Sequence, residues 1–385
     1  MNGIPERTEV LVVGAGPVGL AVAASLAAHG RDVTVVDRQA AGANTSRASV
    51  IHPRTLEMLE ELGVSKRLTE LGRPVEQFNI ADGDRTLVPI RFDHLPTEYP
   101  YVLMIPQSTT EQVLLERLEE LGGKVHRPYV ASGVRQTKDG AEVTLESGEV
   151  IQAQYVVAAD GMNSRIRDLA GLGFTGGDDV LPLNFTLADV RVEGGLPPDE
   201  VLLYFSRPGM LVAAPLPDGS FRLVAEVDDA PEHPDVTYAQ RLLNARGPQQ
   251  STARVTEVVW GSRFRIHERV ADRYRDRRIV LAGDAAHTHS PAGGQGMNLG
   301  LRDAVTLGNA LAEALTTGNE DGLDAYATEN RAEAVRVVSL AHRLTRLATA
   351  PSVLRPARNA GLHLLSYLPG FRRTLAEQLS ALGHR

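Results

Sequence analysis

Hydrophobic positions along the first third of the chain alternate between strand-like runs and helix-like spacing. Residues 8–13 form a β-rich apolar run. Leu20, Ala23, Ala24 and Ala27 then recur at helical spacing, Gly30 stops that helix, and residues 31–36 supply a second strand. Leu56, Leu59 and Leu62 give the next helix one apolar face, entered through Pro53 and closed by Gly63. Residues 79–89 read as a hairpin about Asp82-Gly83-Asp84. Ser108-Thr-Thr-Glu111 has the form of a capping box for a helix ending at Gly122-Gly123. Strands follow over 125–137, 142–146 and 151–159. Between 181 and 227 the pattern is strands alone, at 183–190, 201–205, 211–215 and 221–227, with Pro217-Asp218-Gly219 turning between the last two. A short helix at 237–245, a strand at 255–266, a buried strand at 279–282 and a helix at 297–311 come next. This order predicts an α/β fold with a β-rich block inserted in it.

Composition narrows the partners. The 385 residues are 43% hydrophobic and 23% charged, with a net charge of −8 and a pI near 5.8. That balance speaks against nucleic acid, which needs a basic face. With no cysteine, disulfides, thiolate catalysis and Cys-ligated metal are excluded, and no metal site is expected. Residues 1–9 carry no signal-peptide core, and the apolar stretch at 20–28 is far shorter than the ~20 residues that span a bilayer. A cytoplasmic protein without integral membrane contact is the expectation. The tail from Arg331 has nine arginines and two glutamates, +7, leaving the first 330 residues at −15. Basic amphipathic helices can lie on membranes, but packing across the chain's own acidic body is the favoured reading.

The chemistry lies at the ends of strands. Gly14-Ala-Gly16-Pro17-Val18-Gly19 follows the first strand, and Asp37 closes the second, 23 positions after Gly14, with Arg38 next. In a strand–loop–helix–strand context this is a dinucleotide fingerprint: glycines for a tight turn and a close pyrophosphate, an acid for a ribose hydroxyl. Asp160-Gly161 ends the strand at 151–159, where Asp160 either holds ribose or pyrophosphate groups or caps the helix carrying Arg165 and Arg167. Gly283-Asp284 ends the strand at 279–282, and a Gly-rich loop from Pro291 through Gly294 to Gly296 leads into Met297 and Asn298 at a helix N-terminus, a favourable place for partial negative charge. These parts suit a ribityl-pyrophosphate and a flavin ring. In the polar connection at 44–54, Arg47 is a candidate flavin or substrate contact, weighed against a solvated loop arginine. His52 reads more as a helix-entry or packing residue than as a base. Tyr204, Phe205, Met210, Phe221 and Arg222 are pocket candidates on the β block, each weighed against ordinary sheet packing, and His287 reads as structural.

With these motifs in place the chain resembles the group A FAD-dependent monooxygenases, the p-hydroxybenzoate hydroxylase-like family, over nearly its whole length. Residues 46–57 are similar to the subgroup acting on phenols and polyketide-derived polycyclic aromatics, without the thioredoxin-like domain that many of its members carry. The resemblance implies a Rossmann-like FAD-binding domain of the GR2 type in three parts, 1–75, 107–180 and 268–330. It also implies a β-sheet substrate domain from 76–106 and 181–267, and C-terminal helices over 331–385. It implies FAD, NADPH or NADH as co-substrate, O2 and a small aromatic substrate, with oxygen transferred from a flavin C4a-hydroperoxide in a water-poor cavity. Cofactor contacts are expected at Gly14, Gly16, Pro17, Val18, Gly19, Asp37, Arg38, Arg47, Gln107, Asp160, Gly283, Asp284, Pro291, Gly294, Gly296, Met297 and Asn298. Arg47, His52 and Pro291 are the candidate catalytic positions, and Tyr204, Met210 and Arg222 the candidate substrate pocket. If a phenol must lose its proton, His52, Tyr204 and His289 are candidates. A halogenase is excluded, since its Trp-x-Trp element cannot exist in a chain whose only tryptophan is Trp260. An oxidase or reductase without oxygen insertion, and a flavin-holding partner protein, remain as rivals.

Overall fold

The computed structural model describes residues 3–42, 48–176, 183–250, 252–290, 293–348, 351 and 353–384. Strands from three distant stretches of chain meet in one eight-stranded sheet. Its parallel spine runs in the order Ile279–Leu281, Val150–Ala158, Arg7–Val13, Val33–Val36 and Val125–His126. Val10, Leu11 and Val12 are fully buried because both faces of this sheet are covered, which is why the first strand reads as an unbroken apolar run. Val13 pairs with Ala158, and Ala158 with Leu281. The loops beginning at Gly14, Ala159 and Ala282 therefore leave the same edge of the sheet side by side, although more than 100 residues separate each from the next in sequence. Open α/β sheets bind ligands at this edge.

Helix Pro17–Ala28 has every residue from Gly19 to Leu26 buried, so it carries no polar stripe. The long helix Gln295–Thr317 crosses it closely. A Cβ on Gly308 would lie 2.3 Å from the Ser25 hydroxyl oxygen, and one on Gly300 2.6 Å from a methyl of Val18. Glycine on one partner lets the two backbones come that near.

A second, seven-stranded sheet runs in the order Arg254–Ile266, Leu183–Glu193, Phe221–Glu226, Gly209–Pro215, Glu200–Ser206, Gln77–Asp82 and Arg85–Arg91. The hairpin of the last two strands reaches it by parallel pairing of Gln77–Asp82 with Glu200–Ser206. Helices Asp321–Ala348, Arg355–Ser366 and Pro369–Leu379 complete the chain. Leu362, Ala376, Leu379 and Leu382 share a core with Phe78, Ile90 and Phe92 of the hairpin region. Arg355 grips Asp82 through both carboxylate oxygens, and Arg358 donates to the carbonyls of Phe205, Leu347 and Ala348. The basic tail is thus docked on its own chain. Among the described residues no helix is long and apolar enough to cross a membrane.

Three local expectations change. Helix Gln107–Glu120 starts one residue after Pro106 with no side-chain cap, so Ser108 sits inside the first turn and the capping box does not form; Glu111 is buried instead. The strand expected over 125–137 is two strands, Val125–His126 and Ala131–Gln136. The helix expected over 297–311 runs from Gln295 to Thr317, because Gly294 at φ 65° supplies the turn that starts it.

Candidate active site

The three glycines of the first loop do different jobs. Gly14 has φ +107°, and a Cβ there would lie 2.2 Å from the carbonyl oxygen of Ala159; a Cβ on Gly19 would lie 1.9 Å from the carbonyl oxygen of Gly14. Both are glycine because protein backbone fills the space. Around Gly16 a Cβ would meet nothing within 4 Å, and the residue faces a cavity of about 380 Å³. That opening is where a ligand's phosphates would come close to the backbone, and the volume lies in the ~300–1,000 Å³ range of cofactor and ligand pockets.

Asp37 organises the same loop. Its carboxylate accepts from Ala15 N at 2.7 Å and Gln39 N at 2.7 Å, with Arg127 at 3.6 Å. Four lone-pair directions leave it room for a hydroxyl as well. Arg38 is exposed, off the cavity lining. Gln107 and Glu111 line the cavity together; Gln107 accepts from Ala48 N at 3.2 Å and donates to Glu111 at 2.8 Å. Burial raises the Glu111 carboxyl above the usual range. Sequence reasoning missed Glu111 by assigning it to a cap; its spacing of four from Gln107 was the available clue.

Asp160 serves the helix Arg165–Leu169, accepting from Arg165 N at 2.8 Å and Ile166 N at 3.3 Å, while Ser164 is the N-cap. Its other oxygen is buried without a partner among the described residues, and burial raises its pKa. Gly161, at φ +85°, lines the cavity beside it. Gly283, at φ +62°, packs where a Cβ would lie 2.8 Å from Val18, and the exposed Asp284 beside it lines the cavity. Val18 thus packs against both Gly283 and Gly300, joining the first loop to the third motif and the long helix.

Gly293, Gly294, Gly296 and Met297 also line the cavity. The helix that starts at Gln295 has no side-chain cap, so its first N–H groups stay available to an electron-rich ligand atom. Asn298 is placed behind this loop and not on the cavity. Its amide donates to Val50 O at 2.9 Å and Gly294 O at 2.8 Å, and its oxygen accepts from His52 N at 2.7 Å. Both donors are spent on protein, so Asn298 is a brace. His52 also lies off the lining; it is fully buried, and its Nε2 donates to Gly293 O at 3.0 Å. Burial pulls its pKa down to about 4, which leaves it neutral and poorly suited to act as a base. Arg47 and Pro291 lie outside the described residues.

The opposite wall is the seven-stranded sheet. Val201 and Leu203, then Met210, Val212 and Ala214, then Arg222 and Val224 face the cavity, every second residue on adjacent strands. Tyr204, expected in the pocket, points the other way, into the core formed with helix Val236–Arg246. Met210 and Arg222 do line the cavity. Arg222, 1% exposed, is bidentate with Asp189 at 2.7 and 2.8 Å and donates to Ala48 O at 2.9 Å. It ties the sheet to the segment leaving the first domain. His287, also on the lining, bonds Asp303 at 2.6 Å with both side chains fully buried, and Asn330 completes the group at 2.8 Å. Among the described residues no group of three or more His, Asp or Glu could hold a metal ion.

The chain matches the FAD binding domain family over residues 7–341. It is 36% identical over 389 residues to 6-methylpretetramide 4-monooxygenase of Streptomyces rimosus, covering 98% of this chain and 69% of that one. Dialkyldecalin synthase of Streptomyces rugosporus is 32% identical over 335 residues, covering 85% of this chain and 70% of that one. The solved structure of OxyS anhydrotetracycline hydroxylase from Streptomyces rimosus superposes with a TM-score of 0.82 at 32% identity, covering 98% of this chain and 77% of that one. With the glycine cradle, the three strand-end motifs and these likenesses together, this chain belongs to the p-hydroxybenzoate hydroxylase-like FAD binding domain family and is an FAD-dependent aromatic monooxygenase.

Proposed function

We propose that this enzyme hydroxylates a phenolic, polycyclic polyketide-like aromatic, using NAD(P)H from the cytoplasmic pool. The observation that carries the reading is one cavity with two unlike sides, backbone and glycine on one, apolar side chains on the other. FAD would be held by the loop at Gly14–Gly19, by Asp37, Gln107 and the Asp160-Gly161 turn, and by Asp284 with the helix start at Gln295. Bound there and reduced by a nicotinamide, FAD supplies dioxygen activation. In the balanced reaction one oxygen atom enters an aromatic C–H bond, and the other leaves as water with two electrons from NAD(P)H and two protons.

The chain's own residues orient and exclude. Val201, Leu203, Met210, Val212 and Val224 keep water away from the reacting face. Arg222, neutralised by Asp189, fixes the segment at Ala48 without placing a free charge against the ring. The inserted sheet of 76–106 and 181–267 then acts as the substrate domain over the FAD-binding parts at 1–75, 107–180 and 268–330.

One of these relatives is named a synthase and not a monooxygenase, and that name favours a second reading, in which flavin is held without oxygen insertion. NADPH and oxygen consumption by FAD-loaded protein, with and without a panel of phenols and polycyclic aromatics, separates the two when peroxide and organic product are both measured. Substrate-stimulated oxidation with an oxygenated product is expected. Tight flavin binding with no stimulation by any panel member would favour the second reading, and absence of flavin binding would sink both.

A further inference from the structure

Helix Arg355–Ser366 is docked on the body of the protein with its polar residues turned inward. Arg355, Arg358, Asn359 and Leu362, at helical spacing, form that inner face. Arg355 and Asn359 share Asp82, Arg358 reaches the carbonyls of Phe205, Leu347 and Ala348, and Leu362 enters the core. The outer face is the reverse of an ordinary surface helix. Val353 just before it, Ala357, Ala360 and Leu364 on it, and Leu368 just after it recur three or four residues apart. All five are exposed, Val353 at 82% and Leu364 at 71%. Leu354, Leu365 and Tyr367 flank them and are exposed as well. Six of the eleven exposed large apolar side chains among the described residues fall in this one stretch. Scattered apolar residues need no explanation, whereas such a concentration marks a surface that something covers.

The charges around this face are of one sign. Residues 337–376 hold six arginines and no aspartate or glutamate. Arg343 and Arg346 on the preceding helix and Arg373 on the following one are exposed. A groove beside the face, lined by Leu364 and Tyr367, also carries the exposed Arg85 and Arg207. The carboxylate in that groove, Asp82, is taken up by Arg355 and Asn359.

This combination decides between occupants. A second copy joined about a two-fold axis would set basic rim against basic rim, and a head-to-tail contact with the acidic body would propagate instead of closing. A surface of anionic lipid accepts both parts at once. The apolar side chains enter the acyl boundary while the guanidinium groups stay among the phosphates. We infer that the outer face of helix Arg355–Ser366, with Arg85 and Arg207 beside it, docks this enzyme peripherally on a membrane surface that carries anionic lipid. The helix lies in the interface and does not cross the bilayer. The inference is independent of the substrate reading above, and its test needs no turnover.

The test is flotation of the FAD-loaded chain with vesicles of phosphatidylcholine alone or with about one third phosphatidylglycerol, at low and high salt. Wild-type protein is expected to bind the phosphatidylglycerol vesicles at least about tenfold more tightly than phosphatidylcholine alone, and to lose most of that gain at high salt. Leu364→Asp combined with Leu368→Asp should weaken binding at least about tenfold at unchanged FAD content and Tm, because both side chains lie in water. Arg85→Gln combined with Arg207→Gln should reduce the response to phosphatidylglycerol and leave binding to phosphatidylcholine as it is. Should the leucine variant unfold, the lipid and salt dependence of the wild type and the arginine variant decide. Absence of wild-type protein from the phosphatidylglycerol vesicles, or equal binding by a folded leucine variant, would overturn the inference. Light scattering on the same samples adds one more arm: a dimer that the leucine substitutions dissociate would give the face to a second copy, and overturn it likewise.

Discussion

The two sides of the cavity are built on different principles. On the glycine-lined side the shape is set by backbone packed too closely for side chains, Gly14 against Ala159 and Gly19 against Gly14, with Gly283 and Gly300 against the Val18 side chain. On the side of the seven-stranded sheet it is set by side-chain volume, with alternate residues of three neighbouring strands presenting valine, leucine, methionine and alanine. A backbone cradle fits one ligand shape and fails sharply when altered. A wall of interchangeable apolar side chains can be re-cut at modest cost. The first suits a cofactor that never changes, the second a substrate that differs between relatives.

Gly14→Val strikes the backbone cradle at its tightest turn. The new Cβ would meet a carbonyl oxygen at 2.2 Å on a backbone at φ +107°, and neither can yield cheaply. A loss of more than about 3 kcal/mol is expected, together with loss of bound flavin. Thermal unfolding and flavin content of the purified variant check it. A variant that retains FAD with an unchanged Tm would mean the first loop is not the rigid cradle described.

The seam between the two sides should respond to acid. His52 braces the glycine loop and His289 lies on the cavity lining, and burial draws both from 6.5 to about 4. A folded pKa below the unfolded one means that the unfolded chain binds more protons between those values. Stability is therefore intact above pH 6.5 and falls as pH drops toward 4, by up to about 3 kcal/mol for each histidine. Urea midpoints at pH 7 and pH 4.5 should differ in the wild type and differ less in His52→Asn. An equal difference in both proteins would remove His52 from the account.

The contrast also explains what could be read from sequence. The backbone cradle was legible because a glycine at a strand end reports a local backbone demand within a few residues, as at Gly14 and Gly283. Docking of the tail was legible from charge, since an acidic body awaited it. The substrate side was not. Val201-Leu-Leu-Tyr-Phe205 is apolar at every position, so no alternation fixes which residues face the cavity. Parity there is set by pairing with Gly209–Pro215 and by helix Val236–Arg246 on the far face, both encoded elsewhere in the chain. Asn298 was assigned to the ligand for a related reason. A helix N-terminus announces itself in sequence, but two of the three groups that occupy the Asn298 amide, Val50 O and His52 N, lie 248 and 246 residues away, and only Gly294 O is local.

The smallest effect tests that parity directly. Tyr204→Phe removes a hydroxyl from the face away from the cavity, and both KM and the ratio of product to peroxide should stay within about twofold of wild type, with stability changed by less than about 1 kcal/mol. Met210→Ala, one strand over and facing the cavity, removes volume from the wall, and should alter KM for a bulky aromatic by about tenfold and release more peroxide as water gains entry. Tyr204 is opposite Leu211 in the strand pairing, and Leu211 also faces the far core, so a slip of one residue would exchange the two outcomes. A strong kinetic effect at Tyr204 with none at Met210 would therefore place the whole strand in the other register, and would move the substrate wall to residues that now pack against the helix behind it.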